Sequence, residues 1–90
     1  MNKVKLYNRV IKHFGKKHQE TVAIEELSEL IKVICDTFRH DKQVSEDELL
    51  SEIVDVSIML EQLLLINHIE KENYLNMKRA KLKKLESHLN

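Results

Sequence analysis

The chain contains no proline and a single glycine, Gly15, in ninety residues. All-β folds need turn residues at each hairpin, so this scarcity excludes them. It equally excludes a glycine-rich phosphate loop or dinucleotide fingerprint. What remains is a chain of helices with brief interruptions. Ninety residues make one domain at most, here 1–90, with a thin core. Apolar residues are 42% and charged residues 33%, which fits neither a disordered acidic chain nor a membrane protein. Fifteen Lys and Arg balance fifteen Asp and Glu, so nothing electrostatic points to nucleic acid or a membrane as partner.

The only cysteine, Cys35, has no partner for an intramolecular disulfide or a thiolate zinc site. It reads as a buried structural thiol in a reducing cytoplasm. Met1 to Lys5 starts polar without an apolar h-region, so no signal peptide is expected. The longest unbroken apolar run, Leu63 to Ile66, is far short of a membrane span.

Periodicity predicts four helices. Val4, Leu6, Tyr7, Val10, Ile11 and Phe14 recur at helical spacing over about residues 3–14, and Gly15 suits a left-handed C-cap. A second helix runs from about Lys17 or His18 to Arg39, with a core stripe of Ala23, Leu27, Leu30, Ile31, Ile34 and Phe38. Ser45 and Glu48 form a capping box that opens a third helix, ending near Asn67. Its main stripe is Leu49, Ile53, Val56, Leu60, Leu63 and Leu64. A fourth covers about Lys71 to His88, its lysine-rich stretch Lys78 to Lys84 reading most simply as a solvated face. Short connections favour antiparallel neighbours, hence a small all-α, up-and-down four-helix bundle unit. The third helix is apolar nearly all round, with Val54, Ile58 and Leu65 opposite its main stripe. One small bundle leaves such a helix partly uncovered, so a homo-oligomer is expected, with this helix at the interface.

Glu26 and Glu29 lie three apart, as do Glu52 and Asp55. At about 100° per residue, each pair falls at about 300° and 240° from its helix's stripe, among Val22, Val33, Met59 and Ile66. Two such strips facing each other bring four carboxylates to the edge of the core. Uncompensated, they would raise one another's pKa until some became neutral. A hard cation such as Mg²⁺ or Mn²⁺ removes that conflict and leaves room for waters and phosphates. Surface carboxylates paired with lysines remain an equal alternative on angles alone. A di-iron bundle needs Glu-x-x-His pairs, which none of the five histidines provides.

The order of these motifs resembles a known family. AIEELSELIKVI carries E-x-x-E, and LLSEIVDVSIMLEQL carries E-x-x-D after 22 intervening residues. A helix ending in FG, a Gln before the acidic string and a Lys-rich last helix complete the pattern. It is similar to the MazG-like branch of the all-α nucleoside triphosphate pyrophosphatases, over about residues 7–88. The resemblance implies Mg²⁺-dependent hydrolysis of a (deoxy)nucleoside triphosphate at the α–β phosphoanhydride, giving the monophosphate and pyrophosphate. It implies Glu26, Glu29, Glu52 and Asp55 as metal ligands. Glu25, with Glu26, is implied in catalysis, orienting or deprotonating the attacking water. Lys78 and Arg79 are implied at substrate phosphates, and a homodimer or homotetramer is expected. A non-catalytic interaction module that keeps the fold and uses its apolar helix face is the alternative. The chain has no Trp, so no aromatic clamp on the base is evident.

Overall fold

The computed structural model describes residues 1–89. It is all-α, with four helices and, among the described residues, no strand: α1 (Lys3–Phe14), α2 (Lys16–Asp36), α3 (Glu46–Ile66) and α4 (Lys71–Ser87). No described helix is long and apolar enough to cross a membrane.

Local chemistry sets the boundaries. The Asn2 side chain caps α1 by accepting from the Lys5 amide at 3.0 Å. The Ser45 hydroxyl does the same for α3, accepting from the Glu48 amide at 3.1 Å. The acidic first turn of α3, Glu46 to Glu48, suits the positive end of the helix dipole. Gly15 separates α1 from α2 with φ 97° and ψ 151°. The positive φ agrees with the expected role, but ψ is extended rather than left-handed helical, a region essentially restricted to glycine. The α2 helix ends at Asp36 rather than Arg39. There the buried Asp36 carboxylate meets Lys42 at 3.1 Å and Arg39 at 3.8 Å. Those contacts draw the chain into the loop before α3.

α3 ends in a Schellman motif. The Ile69 amide donates to Leu64 O at 2.9 Å and the His68 amide to Leu65 O at 3.1 Å. His68 holds the left-handed position with φ 54°, where glycine is usual. The motif fixes the direction in which the chain leaves α3.

α2 and α3 form an antiparallel hairpin. Gln19 meets Gln62 at one level, and Glu26 meets Asp55 seven residues further along each helix in opposite directions. α1 folds back from Gly15 so that the Tyr7 hydroxyl donates to Glu61 on α3 at 3.2 Å, with Lys3 paired to the same carboxylate at 2.5 Å. α4 packs against none of the other three helices. The radius of gyration is 16.2 Å, against about 12 Å for a compact domain of this length.

The strips that face each other in this hairpin are not the ones with the strongest apolar periodicity. Gln19, Ala23 and Asp36 of α2, and Val56, Met59, Gln62 and Ile66 of α3, are buried. Of the stripe expected to be core on α2, only Ala23 is buried and Leu30 part-buried; Leu27, Ile31, Ile34 and Phe38 are exposed, Phe38 by 80%. Ile53 and Leu60 of α3 are likewise exposed. The reason is geometric. The hairpin closes on the mixed strip beside those stripes, so that their near edges, Ala23 and Val56, are buried while nothing among the described residues covers their far sides. Cys35 lies on this uncovered side of α2 and is exposed, correcting the buried-thiol expectation.

Two backbone substitutions test these junctions. A Cβ at Gly15 would meet nothing within 4 Å, so Gly15→Ala has only backbone strain to express. We expect it to cost about 1–3 kcal/mol in urea unfolding at fixed protein concentration. His68→Gly should raise stability by about 1 kcal/mol by relieving a left-handed side-chain residue. An unchanged midpoint in either variant contradicts the corresponding role.

Candidate metal centre

The middle of the α2–α3 seam is acidic. Glu26 from α2 and Glu52 and Asp55 from α3 each place one carboxylate oxygen within 4.8 Å of the other two. All three side chains are part-buried. Their convergence follows from the hairpin: three-residue spacing puts Glu52 and Asp55 on one face of α3, and the antiparallel register sets Glu26 opposite them.

Glu26 Oε2 and Glu52 Oε2 are buried with no hydrogen-bond partner. Among the described residues, the ion pairs of Lys3, Arg39 and Lys42 go to Glu61, Asp36 and Asp41, and none reaches this cluster. Burial, first of all, pushes the Glu26 carboxyl above its ordinary value, reinforced by the charges of Glu29, Asp55, Glu52 and Glu25. Glu52 is pushed up in the same way, by burial, by the charges of Glu29 and Asp55, and by the hydrogen bond its protonated form gives to Glu29. The alternative in which lysines neutralise these groups therefore does not describe this seam.

The donor set fits a hard cation. It offers only carboxylate oxygens, which suit Mg²⁺ or Mn²⁺. Mg²⁺–oxygen distances of about 2.1 Å place ligand oxygens about 3–4.2 Å apart. The observed 4.8 Å spread closes with small side-chain shifts. The two orphaned oxygens are the atoms such an ion would satisfy. Glu29 is exposed beside the cluster, near enough to act on Glu26 and Glu52 but outside the convergent three. Glu25 is exposed on α2. Lys78 lies over the ring of its own neighbour Tyr74 at 6.0 Å, and Arg79 donates to Asn76 at 3.2 Å. Both stand on α4, which does not pack against the α2–α3 seam that carries the cluster.

Two features escaped the sequence reading. Gln19 Nε2 donates to Gln62 Oε1 at 2.8 Å in a buried pair, and His18 Nδ1 lies 2.8 Å from Gln19 Oε1. Each glutamine precedes or follows a cluster carboxylate by seven residues, the signal that could have exposed it. The Lys3–Glu61–Tyr7 contact between α1 and α3 has no comparable sequence signal. It borders a cleft of about 500 Å³ lined by Leu6, Tyr7, Val10, Val54, Ile58 and Glu61, which includes none of the cluster carboxylates.

Compared with known proteins, the chain matches no family, no curated protein and no solved structure.

The raised carboxyls give the metal-free protein a defined pH response. In the folded state Glu26 and Glu52 hold protons at pH values where the unfolded chain has lost them. Metal-free stability therefore falls as pH rises through that window and grows on acidification. Glu61, held below its ordinary value chiefly by Lys3, and Asp41, held down by Arg39, act oppositely, losing their contribution as pH falls through their lowered values. The melting temperature without metal should thus peak on the acid side of neutrality. Glu26→Gln should raise it at pH 7 and flatten the slope. A melting temperature that climbs steadily from pH 5.5 to 7.5 contradicts this account.

Proposed function

We propose that the chain is a Mg²⁺-dependent nucleoside triphosphate pyrophosphohydrolase of the MazG-like kind, acting in the cytoplasm. The observation that carries this reading is the meeting of Glu26, Glu52 and Asp55 on one seam, with two buried carboxylate oxygens unpartnered. A purely structural seam gains nothing from self-repelling carboxylates, which an apolar substitution would relieve. Glu26, Glu52 and Asp55 would hold the ion, and Glu29 would complete or extend the set. When bound, the ion polarises a phosphoryl oxygen and lowers the pKa of a coordinated water. The chain itself aligns the α–β phosphoanhydride beside this acidic seam. Glu25 sits on the solvent side of α2, where it can orient the water or accept its proton. The apolar residues around the cluster thin out water and strengthen each charge interaction.

A non-catalytic interaction module is the second reading, favoured by the exposed stripe Leu27, Ile31, Ile34 and Phe38. The two separate on hydrolysis. Pyrophosphate release across the eight common ribo- and deoxyribonucleoside triphosphates should be Mg²⁺-dependent for at least one of them. Glu52→Gln and Asp55→Asn should each lower turnover at least about a hundredfold, about 3 kcal/mol on the barrier, with metal-free stability equal or higher. Mg²⁺ at about 100 times its Kd should stabilise the wild type by about 2.7 kcal/mol and these variants by much less. No release from any triphosphate would leave the module reading.

A further inference from the structure

We propose that the cleft between α1 and α3 is the base subsite of the hydrolase and that the Lys3–Glu61 pair on its wall selects guanine, which makes guanosine and deoxyguanosine triphosphates the substrates. The inference deepens the hydrolase reading and rests on it for the position of the phosphates.

The cleft forms where α1 leans on α3. Its volume of about 500 Å³ falls within the about 300–1,000 Å³ of small-molecule sites. Leu6 and Val10 of α1, with Val54 and Ile58 of α3, give it apolar walls. Leu6, Val54 and Ile58 are still exposed by 38–46%, so they have apolar surface left to bury against a flat ring. The polar groups gather at one place, where Lys3 and the Tyr7 hydroxyl both meet Glu61. Apolar walls with a few convergent polar groups are the usual make-up of a ligand site.

The cleft lies within reach of the metal cluster. Counted from Leu49 at about 100° per residue, Val54, Ile58 and Glu61 fall at about 120–180° on α3 and Asp55 at about 240°. Asp55 is thus on the cleft side of the seam, whereas Glu52, at about 300°, is on the far side. Glu61 is six residues beyond Asp55, about 9 Å along the helix. A nucleotide with its phosphates at the cluster can therefore lay its base in the cleft, passing over Ile58.

The wall chemistry decides which base. The hydrogen bond from Lys3, first of all, holds the Glu61 carboxyl below its ordinary value, so at neutral pH it is an anion that only accepts. Glu61 in turn holds the Lys3 ammonium above its ordinary value, so it only donates. Tyr7 donates to Glu61 Oε1 at 3.2 Å and Lys3 pairs with Oε2, which leaves each oxygen a second lone pair and Lys3 two further donors. The pair presents two neighbouring acceptors beside a donor. Guanine's pairing edge runs carbonyl O6, N1–H, N2–H, one acceptor beside two neighbouring donors. N1–H and N2–H can donate to the two Glu61 oxygens while Lys3 donates to O6. No other common base has that order. Uracil and thymine carry one N–H between two carbonyls, and adenine and cytosine offer one amino group beside a ring-nitrogen acceptor. Each of those sets a lone pair against the carboxylate or leaves one oxygen unpaired, which is costly between apolar walls.

The test uses the full-length chain and has two readouts. One is Mg²⁺-dependent turnover of GTP, dGTP, ITP, ATP, CTP and UTP. The other is calorimetric binding of GMP and AMP, which needs no turnover. kcat/KM for GTP and dGTP should exceed that for ATP, CTP and UTP by about 10–100-fold, the range of a two-point base contact. ITP, which lacks the 2-amino group, should fall between, and GMP should bind more tightly than AMP. Glu61→Gln should bring GTP and ATP to near parity. Because Glu61 also ties α1 to α3, a second variant leaves that tie intact: Leu6→Trp fills the cleft and should lose GMP binding while Mg²⁺ still raises its melting temperature as in the wild type. Turnover without a guanine preference, a preference that survives Glu61→Gln, or GMP binding that survives Leu6→Trp each overturns the subsite and leaves the hydrolase reading standing. GMP binding that both variants weaken, with no turnover of any triphosphate, overturns the hydrolase reading and keeps the cleft as a guanine site.

Discussion

The α2–α3 seam holds together although its middle is a cluster of like charges. Every other part of the structure takes its place from that seam. Ala23, Val56, Met59 and Ile66 bury apolar surface along it, and the Gln19–Gln62 hydrogen bond satisfies the polar groups near one end. Asp36, with Lys42 and Arg39, closes the other end at the loop. Between these anchors the carboxylates are held near one another with no ion pair to offset them among the described residues. Two well-satisfied ends thus support a centre that is electrostatically unfavourable until something positive enters. The raised proton affinities of Glu26 and Glu52 record free energy stored against the fold.

The helices themselves were legible in the residues. Ser45 capped α3 as its spacing with Glu48 implied, and Gly15 stood at the α1–α2 junction with the positive φ its position suggested. Three of the four paired acids were legible too, since their angles placed Glu26, Glu52 and Asp55 on the strips that meet, whereas Glu29 lies exposed beside them. Periodicity failed at a particular point. It finds a helix's most apolar stripe, but not which surface covers it. Leu27, Ile31 and Ile34 form a sound core pattern, yet the chain closes on the neighbouring strip instead. The buried-thiol expectation for Cys35 rests on the general tendency of free cysteines to be buried, which does not hold on this uncovered side of α2. The Tyr7–Glu61 contact depends on how α1 leans from Gly15, a backbone angle that no residue pattern encodes.

The placing of α4 shows how a small chain can divide its labour. A ninety-residue sequence has too few apolar residues to surround four helices and a buried polar cluster at once. Here the apolar residues are spread over two separate surfaces, the seam and the exposed stripes of α2 and α3, rather than gathered in one interior. Only the first is satisfied within the chain.

The Gln19–Gln62 bond has a consequence for the alignment of the hairpin. An antiparallel pair with a seven-residue spacing can in principle slide by one heptad, about 10.5 Å along the helix. Sliding one way would set Glu26 opposite Glu48; sliding the other way would set it opposite Gln62 and Asp55 against Val33. In both slipped alignments the cluster disperses, so without a cation the mutual repulsion of its members pulls the hairpin out of true. The buried amide pair, whose hydrogen bond would be lost by any slip, acts as a detent against that pull. A neutral pair two turns from the acidic centre thereby keeps the carboxylates in confrontation.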